Sequence, residues 1–133
     1  MLKQKGELME KLRQSGEDYL ETIYILSKKG DVRSIDIANE MNVSKPSVCR
    51  AVGLLKDGGF IKTDKDGYIT FTEEGRAAAA SVYERHTVLT DWLVGIGVNE
   101  KTAAEDACRL EHNFSQESFE HLKNHIETCH KKN

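Results

Sequence analysis

Residues 44–71 read SKPSVCRAVGLLKDGGFIKTDKDGYITF, and two different periodicities meet inside that stretch. Ser44 supplies a helix N-cap, Pro46 is tolerated in the first turn, and Val48, Val52 and Leu55 recur on one face. Gly58 and Gly59 stop the helix. The period then shortens to that of strands. Phe60 to Thr63 and Tyr68 to Phe71 are short β-rich runs around Asp64-Lys65-Asp66-Gly67, which predicts a hairpin with an Asp-Gly turn. Upstream, Ser34 is read as the cap of a short helix carrying Ile35, Ala38 and Met41, with a tight break at Asn42–Val43. Before that, Leu20, Ile23, Tyr24, Ile25 and Leu26 recur at helical spacing between Glu17 and Lys29, and Gly30 marks the stop. Residues 1–15 read as a frayed helical lead-in. Helix, helix, turn, helix, hairpin is the order of a winged helix-turn-helix.

Beyond the hairpin, Thr72-Glu73-Glu74-Gly75 opens a long helix with a stripe of Val82, Tyr83, His86, Leu89, Leu93 and Ile96. The stripe, with Trp92 beside it, is ordinary core or a subunit interface. Gly97-Val98-Asn99 breaks this helix, and two more follow over roughly 99–113 and 115–128. Ser115 is the expected cap of the second, and Glu117 suits the positive end of its dipole. The expected fold is therefore mainly α, with a winged helix-turn-helix lobe over 1–72 and a helical lobe over 73–133 that looks like a dimerisation lobe.

Composition narrows the function classes. The 133 residues are 38% hydrophobic and 31% charged, with one Pro and 7% aromatics, which suits a single compact, mostly helical domain or two small lobes. No uncharged stretch approaches the roughly 20 residues of a membrane span, and the N-terminus lacks the order of a signal peptide. Three cysteines, at 49, 108 and 129, form no CxxC pair, so a reduced, cytoplasmic compartment is expected. Cys49 is read as a small packing residue.

The net charge of −3 argues against a nucleic-acid partner until it is divided along the chain. Between Ser44 and Lys65, five basic residues face two acidic ones, a local charge of +3 that leaves −6 on the remainder. With Val48, Val52 and Leu55 facing inward, Pro46, Ser47 and Arg50 face outward near the helix N-terminus, the end that enters the major groove in helix-turn-helix proteins. Arg50 is suited to guanine O6 and N7, and Ser44 and Ser47 to phosphates or base edges. Lys45 and Lys56 add positive charge, and Lys62 and Lys65 on the wing suit the DNA backbone. The expected partner is double-stranded operator DNA.

Asp18 and Glu21 share a face of the first helix at i, i+3 spacing. Cys108, Glu111 and His112 stand at i, i+3 and i+4, aiming thiolate, carboxylate and imidazole at one point. His86 lies in the otherwise apolar stripe between them. A lone His on such a stripe is commonly a satisfied core residue, and an Asp/Glu pair is commonly solvated. The Cys-x-x-Glu-His set is more specific, and its donors suit a borderline divalent transition metal better than Ca²⁺ or Mg²⁺.

Four segments together carry a resemblance: Glu17-Asp18-Tyr19-Leu20-Glu21-Thr22-Ile23-Tyr24, Ser44-Lys45-Pro46-Ser47-Val48, Glu84-Arg85-His86 and Ala107-Cys108-Arg109-Leu110-Glu111-His112. In this order, across about residues 16–126, they resemble the diphtheria toxin repressor/manganese transport regulator (DtxR/MntR) family. Members are dimeric, metal-activated repressors with a winged-helix lobe and a helical dimerisation lobe. The resemblance implies a homodimer that controls metal-homeostasis genes, with Asp18, Glu21, His86, Cys108, Glu111 and His112 as metal ligands. It also implies that Ser44, Pro46, Ser47 and Arg50 face DNA, and that the chain is the short form without the SH3-like domain of the longer branch. Asp18 and Glu21 resemble the manganese-responsive branch, which forms a two-metal cluster. Cys108 resembles the iron-responsive branch, whose ancillary site takes a Glu and a His where this chain has Thr90 and Ala104. The expectation is a manganese-type cluster with one carboxylate replaced by a thiolate, which favours Fe²⁺, Co²⁺ or Zn²⁺ over Mn²⁺. The expected metal is Mn²⁺ or Fe²⁺, one or two ions per chain, with Zn²⁺ or Co²⁺ able to substitute.

Two rival readings start from the same residues. A metal-independent winged-helix regulator of a small organic ligand would bind its operator regardless of metal. A small metal-dependent hydrolase would turn over substrate, but no nucleophile motif or substrate-cradling loop is present, so no enzyme, organic substrate or membrane partner is expected. His121, His125 and Cys129, spaced four apart with His130 adjacent, have metal-binding geometry on a helix. A solvated tail is the reading taken for them.

Overall fold

The computed structural model describes the backbone of residues 2–132 and the side chains of residues 15–129. Among the described residues there are six helices and two strands: α1 (Leu2–Ser27), α2 (Ser34–Met41), α3 (Lys45–Asp57), β1 (Ile61–Thr63), β2 (Ile69–Phe71), α4 (Glu73–Gly95), α5 (Glu100–Leu110) and α6 (Gln116–Lys132). The chain divides into two compact units, Met1–Ser81 and Val82–Asn133, with the division inside α4.

In the first unit, α1 is one unbroken helix, so the lead-in read as frayed continues the helix backward to Leu2. Tyr19, Leu20 and Ile23 are buried. α2 begins at Ser34 itself, which corrects the capping assignment by one residue. Arg33 occupies the N-cap position, and the Asp36 carboxylate accepts the Arg33 N–H at 2.9 Å. An acid at the third helical position thus satisfies an amide that a hydroxyl was expected to serve. Ile37 and Ala38 form its buried face, whereas Ile35 is exposed. Asn42 turns the chain at φ 55°, a left-handed conformation that Asn tolerates better than most residues.

α3 starts as its sequence predicts. Ser44 Oγ accepts the Ser47 N–H at 3.3 Å, and Val48, Val52 and Leu55 are buried. Cys49 is exposed, which overturns its reading as a packing residue. It follows the buried Val48 by one residue, about 100° around the helix. The hairpin pairs Ile61 with Phe71, Lys62 with Thr70 and Thr63 with Ile69. Its turn is held by Asp64 Oδ1, which accepts the N–H groups of Asp66 and Tyr68, each at 2.9 Å. The Ile69 N–H donates to Val32 O at 2.8 Å, joining the wing to the segment before α2. The start of α4 lies against the hairpin: Thr72 Oγ1 donates to Gly59 O at 2.6 Å and accepts the Gly75 N–H at 3.0 Å. A Cβ at Gly75 would sit 1.7 Å from Phe60 O, so only glycine fits there. Ile23, Val32, Ile37, Val48 and Ile61 are fully buried in this unit, each contributing roughly 1.5–3 kcal/mol.

In the second unit, Val82 and Leu89 on α4 are buried, and Trp92 and Leu93 are half-buried. The expected stripe ends there, because Ile96 lies past the last helical residue and is 64% exposed. α5 is capped by Asn99, whose Oδ1 accepts the Lys101 N–H at 2.9 Å, and it ends at Leu110 rather than 113. Ala103 and Ala107 form its buried face. Ser115 caps α6 as expected, its Oγ accepting the Ser118 N–H at 3.0 Å, and Phe119 is buried. Among the described residues, no helix is long and apolar enough to cross a membrane.

Candidate functional site

Cys108 lies in the last turn of α5. Glu111 follows as its C-cap, still with helical dihedrals (φ −59°, ψ −26°) and with its N–H donated to Ala107 O. The helical spacing therefore survives the early end of α5. Cys108, Glu111 and His112 each present one donor atom within 4.8 Å of the others, and His86 on α4 is as close to Glu111. Glu111 is the centre of this arrangement. Its side chain is fully buried, with Oε2 2.9 Å from His86 Nδ1 and Oε1 3.4 Å from His112 Nε2.

The electrostatics of that centre are unusual for a protein interior. Glu111 Oε1 is buried and accepts no hydrogen bond. A buried acceptor left in this state costs about 1–3 kcal/mol, and more when charged. A divalent cation removes the penalty, and thiolate, carboxylate and imidazole donors are the set a transition ion takes. The residues therefore fit a metal. Cys108 is exposed, so its sulfur is accessible to an arriving ion. Asp18 and Glu21 stand three apart on α1 in the first unit, both half-buried.

Arg85, one residue before His86, is not signalled by any local spacing. Its Nη1 donates to Glu111 O at 3.0 Å and Phe114 O at 2.9 Å, and its Nη2 donates to Gln116 Oε1 at 2.7 Å. The guanidinium also lies 5.5 Å from the Phe119 ring. One side chain thus pins the turn that carries Glu111 and His112 to α4. Lys123 of α6 pairs with Glu84 of α4, and that hydrogen bond and charge hold the lysine's proton above the ordinary lysine range.

On the first unit, Ser44, Lys45, Pro46, Ser47, Arg50, Lys56, Lys62 and Lys65 are all exposed. Ser44 Oγ is engaged by the cap and also donates to Ser47 Oγ at 2.9 Å. Lys56 lies in the last turn of α3, where its charge suits the helix dipole, about 16 Å along the axis from Lys45. Arg33, absent from the sequence-derived set, stacks on the Tyr68 ring at 4.2 Å and ties the start of α2 to the wing. A groove of about 300 Å³ lies there, lined by Arg33, Ser34, Lys45, Cys49 and Gly67 among others.

Comparison with known proteins identifies both halves of the chain. Residues 11–69 match the iron dependent repressor N-terminal DNA binding domain, and residues 72–132 match the iron dependent repressor metal binding and dimerisation domain. An HTH-type transcriptional regulator of Methanocaldococcus jannaschii is 35% identical over 115 residues, covering 84% of this chain and 92% of that protein. The transcriptional regulator MntR of Salmonella typhimurium is 32% identical over 105 residues, covering 78% of this chain and 67% of that one. The solved manganese regulator SloR superimposes with a TM-score of 0.76 at 30% identity, over 84% of this chain and 53% of SloR. This chain thus spans about half the length of that solved regulator. A Sulfolobus solfataricus protein matches over 86% of this chain and 88% of its own, with a TM-score of 0.65 and 26% identity. The two domain matches together cover most of the sequence, and the chain belongs to the iron-dependent repressor (DtxR/MntR) family of metal-dependent transcriptional regulators, which are not enzymes.

Proposed function

We propose that this chain is a homodimeric repressor that binds double-stranded operator DNA when loaded with Mn²⁺ or Fe²⁺, and that it controls metal-homeostasis genes. The observation that carries this reading is the fully buried Glu111 carboxylate, flanked by His86 and His112, with one oxygen that accepts no hydrogen bond. His86, Cys108, Glu111 and His112 hold the ion from the second unit. The sequence resemblance adds Asp18 and Glu21, whose shared helix face suits the same task. A bound divalent ion supplies the positive charge that these acidic side chains lack among themselves. Because the proposed donors come from both halves of the chain, loading and DNA binding are linked, and the linkage is reciprocal.

On the DNA side, Arg50 reads a base edge, Pro46 and Ser47 contact the groove near the N-terminus of α3, and Ser44 serves chiefly as the cap. Lys45, Lys56, Lys62 and Lys65 meet phosphates, and Arg33 joins them from the start of α2. Phosphate contacts of this kind position the protein without reading sequence. One relative, ScaR, has been solved with Zn²⁺ at a TM-score of 0.73 and 27% identity and with Cd²⁺ at a TM-score of 0.72, which supports the ability of another divalent ion to substitute at such a site.

Anaerobic equilibrium dialysis against Mn²⁺ and Fe²⁺ tests the site. Wild-type protein should retain metal, and His86→Ala should lose it while remaining folded and dimeric. Wild-type stoichiometry and affinity in His86→Ala would remove that residue from the set.

A further inference from the structure

Building on the proposed assignment of His86, Glu111 and His112 as ligands, we propose that Arg85 is a positioning residue for the metal centre. It sets how tightly an ion is held without itself ligating one. The three ligands come from two places in the second unit. His86 follows Arg85 directly on α4, whereas Glu111 and His112 lie past the last residue of α5, Leu110. Beyond a helix end the backbone carbonyls have no intrahelical partner and must find one elsewhere. Arg85 is that partner. Its Nη1 donates to Glu111 O at 3.0 Å and to Phe114 O at 2.9 Å, bracketing the turn that carries both ligands. Its Nη2 donates to Gln116 Oε1 at 2.7 Å, and the guanidinium lies 5.5 Å from the Phe119 ring, so it also holds the first turn of α6. The neighbour of one ligand is thereby hydrogen-bonded to the main chain of a second, which adjoins the third.

Two features separate this arrangement from ordinary packing. Arg85 Nε is buried and makes no hydrogen bond, a cost that an apolar side chain filling the same space would not carry. The guanidinium also engages the carbonyl of Glu111 and not its carboxylate, whose oxygens lie 2.9 Å from His86 Nδ1 and 3.4 Å from His112 Nε2. The contact therefore fixes the ligand without competing for its donor atoms. Metal–ligand distances tolerate only about 0.2 Å of misplacement, which a turn released to solvent does not keep. Removing a group that orients a metal's ligands typically costs roughly 10- to 100-fold in affinity.

The test is anaerobic equilibrium dialysis of the full chain against Mn²⁺ and against Fe²⁺, with electron paramagnetic resonance of the bound Mn²⁺. Wild type is compared with Arg85→Ala, Arg85→Lys and Gln116→Ala, each checked for folding by far-UV circular dichroism. Arg85→Ala should keep the wild-type number of ions, bind them roughly 10- to 100-fold more weakly, and change the spectrum of the bound ion. Arg85→Lys keeps a cationic donor for the carbonyls but not the planar fork, and should recover part of the loss. Gln116→Ala removes only the Nη2 contact and should show a smaller loss; it carries the same test if Arg85→Ala does not fold. A purely structural role would lower the unfolding midpoint and leave both the affinity and the spectrum of the folded variants at wild-type values. That result overturns the proposal and leaves the ligand assignment standing. Wild-type protein that takes up neither metal overturns the ligand assignment, and the role of Arg85 with it.

Discussion

Replacing Glu111 with Gln keeps the shape of the side chain and removes one negative charge from a fully buried position of the second unit. In the metal-free protein two effects oppose each other. The variant loses the charged contact between Glu111 Oε2 and His86 Nδ1 at 2.9 Å, worth about 1.5–3 kcal/mol. It also no longer buries a carboxylate whose Oε1 has no hydrogen-bond partner, which returns a cost of similar size. The metal-free unfolding midpoint should therefore change by only a few degrees. With metal the two proteins separate. Free ion at about one hundred times Kd stabilises the native wild type by about 2.7 kcal/mol per site. For a chain of this size that corresponds to a rise on the order of 10 °C in Tm. Glu111→Gln should forfeit most of that rise, because an amide is a far weaker ligand than a carboxylate. The assay is anaerobic thermal denaturation followed by circular dichroism, with Mn²⁺, with Fe²⁺ and with chelator. A variant that shows the full wild-type increase with either metal would refute the placement of Glu111 at the metal centre.

Other consequences are more local. Arg50→Ala should weaken specific operator binding by about 1–3 kcal/mol in a mobility-shift titration, and unchanged affinity would take Arg50 off the reading face. Gly75→Ala should lower stability by several kcal/mol in chemical denaturation, because its Cβ would overlap Phe60 O at 1.7 Å; a wild-type midpoint would show that the hairpin yields easily. Cys108→Ser should shift metal preference away from Fe²⁺, Co²⁺ and Zn²⁺ toward Mn²⁺ in competition dialysis, and an unaltered order would exclude a thiolate ligand. Since thiol and imidazolium must release protons to bind an ion, metal affinity should fall as pH is lowered, which proton release on titration would record.

Local signals predicted local structure well. Ser44, Pro46 and the Val48–Val52–Leu55 spacing define α3, and the Asp64–Gly67 turn defines the wing, because each depends on residues a few positions apart. Cys-x-x-Glu-His was equally readable, since helical geometry alone brings its donors together even though α5 ends at Leu110. What escaped depended on tertiary context. Arg85 reaches acceptors 26 to 31 residues away, and no periodicity encodes that distance. Arg33 takes the N-cap position in place of Ser34 because the Asp36 carboxylate supplies the missing acceptor. Cys49 and Ile96 look like core by composition, yet one faces away from the packed side of α3 and the other lies beyond the end of α4. The buried Glu111 oxygen that accepts no hydrogen bond is likewise a property of the fold, although the residue itself was identified from its spacing.

The proposed switch is metal-dependent DNA binding. Its most direct test is a mobility-shift titration of the wild-type protein on operator DNA, performed anaerobically with Mn²⁺, with Fe²⁺ and with excess chelator. Coupling of the usual allosteric size, about 1–3 kcal/mol, predicts affinity at least roughly fivefold tighter with one of the two metals than with chelator. Equal affinity under all three conditions would contradict it and would favour a winged-helix regulator that answers to something other than metal.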